Sequence, residues 1–572
     1  MVKETDLNRR IMSKKMIISA DEHEVRIAVL EGDSVVELYF GRRGKQSLVG
    51  NIYSGRVQNV LPGLNAAFID IGEEKNAFLY MDEVFVPPEL MDDSGPVPQQ
   101  IHKVLKPGQS VIVQVIKDPI KSKGPRLTTF ISIPGRFLVL MPYSSGIGVS
   151  RKLDNKERER LREIAHKIRP REGGIIVRTA AKGVDDSTLK RDLKYLTGLW
   201  SKIKRKIGKV RGPEKIFQEL DLLSRVLRDT YSDDFETIIT DSKDIKNKAV
   251  NFLRKVDPVA IRKVGIYREE DPLFEKYNVD QAIELALKRR VDLQSGGYLI
   301  IDHTEALTAI DVNTGRFVGR RNLEDTILRT NLEAAEEIVR QIRLRDIGGM
   351  IIIDFIDMER PENRDKVMVT FTENLKKDQT KTQVVELSRL GLIEMTRKNV
   401  SEGIVGTLCK KCPFCGGLGH VLSEETMRLR VEREIKKIAR SRPHEAFLFR
   451  MNSAVAAMVI GQGGSNLRRL ERDTGRTIII RGDDSAPIET FLLMAEGDRE
   501  EIEKAAVPVQ VGQILDLEVE EPHLNNPRDA ISKLEGYIIQ IMDGRKYLRK
   551  RIKVKIVEVT RTCAYAEVLN DD

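Results

Sequence analysis

The stretch that most constrains this chain is residues 296–358, which read GGYLIIDHTEALTAIDVNTGRFVGRRNLEDTILRTNLEAAEEIVRQIRLRDIGGMIIIDFIDM. Two runs rich in β-branched and apolar residues, 298–302 and Leu307–Asn313, are joined by His303-Thr304-Glu305-Ala306, the pattern of a hairpin. Leu323, Ile327, Ala334, Ala335, Ile338 and Ile342 then recur at helical spacing, and Gly348-Gly349 is expected to stop that helix. Residues 350–353 form an unbroken apolar run, as expected of a strand buried on both faces. The run ends in carboxylates, Asp354 and Asp357.

Side chains alternate along a strand, so Asp311 and Asn313 share a face. Asp354 and Asp357, three apart, are expected on opposite faces, which leaves one of them to share a pocket with Asp311. A carboxylate at the end of a buried strand is costly without compensation, and two facing ones repel. A hydrated Mg²⁺ relieves both problems, because it is held by one or two carboxylates together with a substrate phosphate. Asn313 would then orient a carboxylate or donate to a phosphate oxygen. The structural alternative is that these residues cap strands and turn corners.

The strings EALTAIDVNTGRFVG and GGMIIIDFIDM resemble the catalytic signature of the ribonuclease E/G family of bacterial and plastid endoribonucleases. The resemblance extends over most of the chain. It implies that Asp311 and Asp354 hold Mg²⁺, that Asn313 supports them at the scissile phosphate, and that Asp357 belongs to the motif without being a ligand. It also implies a multidomain α/β and α+β architecture. An RNase H-like subdomain without catalytic duty is split between residues 1–48 and 225–288. Inserted in it are an OB-fold barrel at 49–129, of the type first named in ribosomal protein S-one, and a 5′ sensor at 130–224. A DNase I-like catalytic subdomain at 289–408 and a zinc link at 409–420 follow. A KH-like small domain at 421–505 and a TRAM-like barrel at 506–572 complete the chain.

The residues themselves support several of these divisions. A chain of 572 residues is expected to form several domains, and a 41% hydrophobic content suffices for their cores. No stretch is long and charge-free enough to span a membrane, and the N-terminus has neither a signal-peptide core nor the look of a transit peptide, so a cytoplasmic protein is expected. The 96 basic residues exceed the 87 acidic ones by only nine, so local clusters matter more than the total. Three of the four cysteines lie within residues 409–415, which points to metal rather than to a disulfide framework.

Runs at 16–30 and 35–40 read as strands of an incomplete sheet. From Gly50, short alternating strands broken by Pro62-Gly63 and Gly72 suggest a small antiparallel barrel, interrupted by a loop at 87–100 and closed by Ser110–Lys117. Tyr53, Phe68 and Phe78 are spaced to project from one barrel face, where they would stack unpaired bases; the alternative is that they are core. The resemblance adds Lys123 as an RNA contact. A charged helix at Asn155–Ile168 reads as a solvated face. Arg178-Thr179 ends an apolar strand, and its guanidinium and hydroxyl suit a terminal phosphate; a turn is the alternative. By resemblance, Gly135 and Val139 give backbone contacts in a pocket for 5′-monophosphorylated RNA, Arg178 and Thr179 bind the phosphate, and Lys381 stands where some relatives have an assisting arginine. Lysine keeps the charge but loses the bidentate fork.

The basic run 202–211 would track RNA or be solvated, and Arg389 and Arg397 are candidates for phosphate contact beside the active-site motif, which is followed by a helix at 364–377. Cys412 and Cys415 form a CxxC, and zinc wants four ligands. Two chains each giving a CxxC would complete the set, as the resemblance implies for a zinc link in a homodimer or homotetramer; an intrachain site with Cys409 and His420 is the rival. Gly461-Gln462-Gly463-Gly464 lies between an apolar and a basic helix, a KH-type pattern in which Gly461 and Gly464 would contact RNA. The C-terminal strands place a basic edge at 545–555. The long tail that makes some relatives a scaffold for other decay enzymes is absent, so that role is not expected.

The expected activity is Mg²⁺-dependent cutting of single-stranded RNA in mRNA decay and in rRNA and tRNA processing, leaving a 5′-phosphate and a 3′-hydroxyl. The rival is a non-catalytic RNA-binding or ribosome-assembly protein built on the same domains. The intact Asp311, Asn313 and Asp354 set separates the two.

Overall fold

Asp21 divides the N-terminal apolar run into two strands, Lys14–Ala20 and Glu24–Glu31: its carboxylate accepts from the His23 and Glu24 N–H groups, both at 2.7 Å, and so closes a tight turn. In the computed structural model the described residues are 13–42, 44, 47–86, 100–119, 123–170, 172–315, 323–385, 392–399, 401–523, 526–534, 537–560 and 563–569. They form two units, Met1–Cys409 and Lys410–Asp572.

In the first unit, Lys14–Ala20 is central to a five-stranded sheet with Glu24–Glu31 and Ser34–Arg42 on one side. On its other side Phe235–Thr240 pairs with it in parallel, followed by Val264–Ile266, so the N-terminal strands do find their partner in 225–288. The inserted strands form a closed sheet: Ile52–Leu61 pairs with both Ala66–Asp70 and Ser110–Lys117. The anticipated loop at 87–100 lies, apart from Gln100, outside the described residues. A four-stranded sheet follows, packed against Asn155–Ile168 and Asp186–Ile207. Asp154 caps the first of these helices by accepting the Glu157 N–H at 2.9 Å, and its apolar stripe, Leu161, Ile164, Ala165 and Ile168, is buried.

The constraining stretch forms a six-stranded mixed sheet. Tyr298–His303 and Leu307–Asn313 make the hairpin, and the helix Leu323–Leu344 crosses over to Gly349–Asp354, which lies parallel to Leu307–Asn313. Two expectations fail here. The helix ends before the glycines, where Asp346 takes a left-handed φ of 49°. The run 350–353 is not buried on both faces: Ile351 and Ile353 are enclosed, but Met350 is 51% exposed. The reason is that the core of this sheet gathers the inward face together with residues of Leu323–Leu344 and Pro361–Leu375 (the helix expected at 364–377), which cover that face alone. The face left open carries the carboxylates. Arg343, buried near the end of the crossover helix, ties it to the N-terminal sheet through Glu31 at 2.8 Å and Glu37 at 3.0 Å.

In the second unit, a three-stranded sheet places Ala446–Asn452 between Thr477–Asp483 and Phe491–Gly497, with Glu424–Ser441, Ser453–Ile460 and Ser465–Thr474 sharing its core. The C-terminal residues form a six-stranded sheet whose ends are drawn together by the Ser532 hydroxyl donating to the Glu518 carbonyl at 2.8 Å. Among the described residues no helix is long and apolar enough to cross a membrane.

Candidate active site and RNA-facing surfaces

Asp311 and Asp354 are direct register partners on adjacent parallel strands, so alternation puts both on the open face of the sheet. Asn313, two residues on, donates its side-chain N–H to Asp311 Oδ2 at 2.7 Å, which fixes the carboxylate's orientation. The Asp354 pKa is raised above that of an ordinary aspartate: burial is the first cause, and the charges of Asp311 and Asp357 add to it. Of the two, Asp354 is the one in register with Asp311. The strand ends at Asp354, so strict alternation does not extend to Asp357, whose charge acts on Asp354 alongside that of Asp311.

Two residues that the sequence reading missed share this face. Tyr298 is the register partner of Asn313, and Arg290 pairs across from Ile300, itself opposite Asp311. The Arg290 guanidinium lies 3.9 Å from the Tyr298 ring centroid and pairs with Asp292 at 2.7 Å, a cation held over an aromatic face of this sheet. Their signal was the period-two pattern of the flanking strands. Two carboxylates in register, one raised by burial and by like charge, and an amide that orients the other fit a divalent cation of the Mg²⁺ type, which takes one or two protein carboxylates. Among the described residues no cluster of three or more His, Cys, Asp or Glu side chains forms a larger metal cage. Part of the motif, 316–322, lies outside the described residues, as does Arg389.

Arg397 is corrected outright. Its side chain is 4% exposed and fully engaged by Asp378 at 2.8 Å and Asp346 at 2.6 Å, so it has no donor to offer a phosphate. The sequence showed a cation beside the motif but not the two acids that enclose it.

The expected sensor residues converge in part. Arg178 donates to the Gly135 carbonyl at 2.7 Å and pairs with Asp229 at 2.8 Å. Burial pushes Asp229 up, yet Arg228 and Arg178 together hold it below the ordinary range. Thr179, exposed, shares a hydrogen bond with Ser150 at 2.7 Å. Val139 lies on the strand next to Arg178's, opposite Ile176. The turn from Gly135 is pinned by Asp192, whose carboxylate accepts the Phe137 and Leu138 N–H groups at 3.0 Å each. A Cβ at Gly135 would lie 2.7 Å from that carboxylate, so only glycine fits. Asp192 was missed although it interrupts the apolar stripe Leu189, Leu193, Leu196 of its helix. Lys381 is exposed, directly after a turn whose Asp378, Gln379 and Thr380 carbonyls all accept from Lys152 Nζ at 2.8–3.0 Å.

On the closed sheet, Phe68 and Phe78 are register partners with ring centroids 5.3 Å apart, and both are half-buried. Tyr80, 4.5 Å from Phe78 and under the Arg126 guanidinium at 4.7 Å, extends this surface; the sequence reading missed both. Lys123 is exposed. Tyr53 does not join them. It is a core residue, 1% exposed, its hydroxyl donates to Glu73 at 2.8 Å, and burial pushes its pKa up to about 12. In the run 202–211, Arg205 and Lys206 donate to backbone carbonyls of Ser201 and Ile216, the behaviour of a solvated helix end.

In the second unit Cys412 is exposed and Cys415 half-buried; the Gly419 and Gly417 N–H groups, with Cys412, draw the Cys415 thiol below its ordinary pKa. The 461–464 loop joins two helices, with Gly461, Gly463 and Gly464 at φ of 73°, 57° and 76°, values that glycine adopts freely.

The model of the ribonuclease E/G family matches residues 132–400, and that of the RNase E/G thioredoxin-like domain matches 411–496, where the sequence alone suggested a KH-type element. Ribonuclease G of Escherichia coli K12 is 39% identical over 474 residues, covering 82% of this chain and 97% of the relative. Ribonuclease G of Haemophilus influenzae is 40% identical over 457 residues, covering 79% and 93%. Ribonuclease E of a Nostoc species is 41% identical over 419 residues, covering 71% of this chain and 59% of the relative. Matches of this extent, with the family model spanning the sheet that pairs Asp311 with Asp354, show that the chain belongs to the ribonuclease E/G family.

Proposed function

We propose that this chain is a Mg²⁺-dependent endoribonuclease that cuts single-stranded RNA, in mRNA decay and in rRNA and tRNA processing, and that it acts in the cytoplasm. The observation that carries the reading is the register pairing of Asp311 with Asp354 on an open sheet face, with Asn313 orienting the first carboxylate. Asp311 and Asp354 hold the cation. When bound, Mg²⁺ supplies Lewis acidity and a template for in-line attack by water, leaving a 5′-phosphate and a 3′-hydroxyl. The chain's own residues do the rest: Arg290 over Tyr298 offers a cation and a ring to the nucleotide beside the carboxylates.

RNA is gripped by Phe68, Phe78 and Tyr80, with Lys123 and Arg126 for the phosphates. The 5′-monophosphate preference belongs to the Gly135, Val139, Arg178 and Thr179 pocket. There Arg178 exchanges part of its hold on Asp229 for the terminal phosphate, and Lys381 adds charge. Cys412 and Cys415 give two thiolates to one Zn²⁺, and a second copy of the chain gives the other two, making a dimer or, through a further interface, a tetramer. RNase H-like, OB-fold, DNase I-like and TRAM-like identities for the sheets, with a glycine-loop RNA contact at Gly461 and Gly464, complete the assignment.

The test is to cut an unstructured 5′-monophosphorylated RNA with purified protein and map both new ends. A 5′-phosphate and a 3′-hydroxyl, lost with EDTA and restored by Mg²⁺, are expected; cutting that persists in EDTA overturns the metal assignment. Cys412→Ser with Cys415→Ser should release zinc and lower the mass seen by light scattering. An oligomer of unchanged mass sinks the shared site.

A further inference from the structure

The second unit contains two cation-rich stretches, and the fold treats them differently. On the strand Arg551–Val559, Arg551, Lys553 and Lys555 project at period two. Register places Glu518 opposite Arg551, Asp516 opposite Lys553 and Glu567 opposite Lys555. Opposite charges at directly facing positions stabilise the sheet, so each cation of the basic edge expected from the sequence has an acid across from it. The cations of Glu424–Ser441 have another arrangement.

This helix buries Met427, Val431, Ile435 and Ala439, which fixes its other side outward. Arg433, Lys436, Lys437 and Arg440, at i, i+3, i+4 and i+7, line one open concavity of about 540 Å³ together with Ser441, and no acidic residue is among its lining. The neighbouring acids are engaged elsewhere. Glu432 accepts from Arg428 and faces Arg469 at 3.6 Å, and Asp473 holds Lys436 at 2.8 Å. Arg433 and Arg440 form no ion pair with any described residue, and Lys437 has only Glu434 at 3.7 Å, one turn away. The negative end of the helix accounts for Arg440 in the last turn but not for cations a turn or more before it.

We infer that this face is a second RNA-binding surface, which follows the phosphate backbone of single-stranded RNA without reading its bases; the inference rests on the ribonuclease reading. From Arg433 to Arg440 the helix rises about 10 Å, long enough to accompany a few nucleotides, and unpaired cations over such a length are the means by which proteins neutralise phosphates. An anionic membrane is the poorer fit. A helix lying on a membrane inserts its apolar face, and here that face is already enclosed in the domain core.

The experiment compares full-length proteins carrying Asp354→Asn, so that RNA is retained, with and without Arg433→Gln, Lys437→Gln and Arg440→Gln together. Binding of a long unstructured RNA is followed against salt. Loss of three phosphate contacts at about 0.7 each should make the slope of log K against log salt shallower by about 2. Arg551→Gln with Lys553→Gln, whose cations face Glu518 and Asp516 across the sheet, should leave the slope in place. So should the charge-conserving set Arg433→Lys, Lys437→Arg, Arg440→Lys. An unchanged slope in the glutamine variant, or an equal loss in the charge-conserving one, overturns the inference. So does loss of sedimentation with phosphatidylserine vesicles while the RNA slope holds. Cutting by the protein with native Asp354 is scored separately. Failure to cut with the slope difference intact sinks the ribonuclease reading and supports this surface, whereas normal cutting with no slope difference sinks this surface alone.

Discussion

Two groups of charges lie at opposite ends of the strand Gly349–Asp354. At one end Asp354 faces Asp311 across the parallel pairing, on the open face, and burial together with the like charge raises its pKa. At the other end, Arg397 lies opposite Gly349 and is enclosed by Asp378 and Asp346, with a further donation to the Ile347 carbonyl at 3.1 Å. Burial works against the Arg397 charge, yet the two acids outweigh it and raise its pKa. The second group is complete in itself. The first is incomplete until something positive arrives. Compensated charge inside a protein is evidence of structure, and uncompensated like charge at a surface is where chemistry or binding is to be sought.

The comparison can be broken most directly by removing Asp354. Asp354→Asn should lower kcat about a thousandfold, the equivalent of ~4 kcal/mol, while affinity for RNA stays within a few-fold; a variant that still cuts at the native rate ends the argument. Arg397→Met should do the reverse. It leaves Asp378 buried without its partner, so urea unfolding of the first unit should move earlier by about 3–5 kcal/mol, with RNA affinity per folded molecule unchanged. A selective loss of RNA binding would reinstate Arg397 as a phosphate contact.

Smaller effects sharpen the contrast. Asp354 must be ionised to hold a cation, and burial, Asp311 and Asp357 all raise its pKa. The acid limb of the cleavage profile should therefore lie above that of an unshifted aspartate, and Asp357→Asn should move it to lower pH; a limb that does not move excludes Asp357 from the site's electrostatics. The smallest effect concerns the metal-free protein. A carboxyl whose folded pKa is raised adds stability only below its unfolded pKa, and that contribution disappears as pH rises through the folded value. At neutral pH the ionised pair opposes folding, so Asp354→Asn should stabilise the protein in EDTA by about 0.2–1 kcal/mol, the size of a facing like-charge pair. The gain should vanish at low pH. Thermal melts at the two pH values check both parts.

Much of this site was legible because it is written in local patterns. Period two placed Asp311 and Asn313 on one face, and the turn residues at 303–306 gave the hairpin. Asn155–Ile168 was read to its true ends because its capping aspartate and its apolar stripe are both local signals. Misreadings arose where a residue's partners are distant in sequence. Tyr53 looked like a neighbour of Phe68 and Phe78 on an exposed face, but Glu73 and the barrel interior claim it. Arg397 looked like a phosphate ligand until Asp346 and Asp378 closed around it. Arg551, Lys553 and Lys555 looked like a basic edge until cross-strand register set acids against them.

By itself, the sequence determined the elements, the faces within each element and, through its literal motifs, the family. Only the tertiary structure decided that Asp311 meets Asp354, because the register between strands joined by a 22-residue crossover helix is set by how that helix packs and not by any pattern along either strand. It also decided which charges are left without partners, since compensation depends on what lies across a sheet or beside a helix.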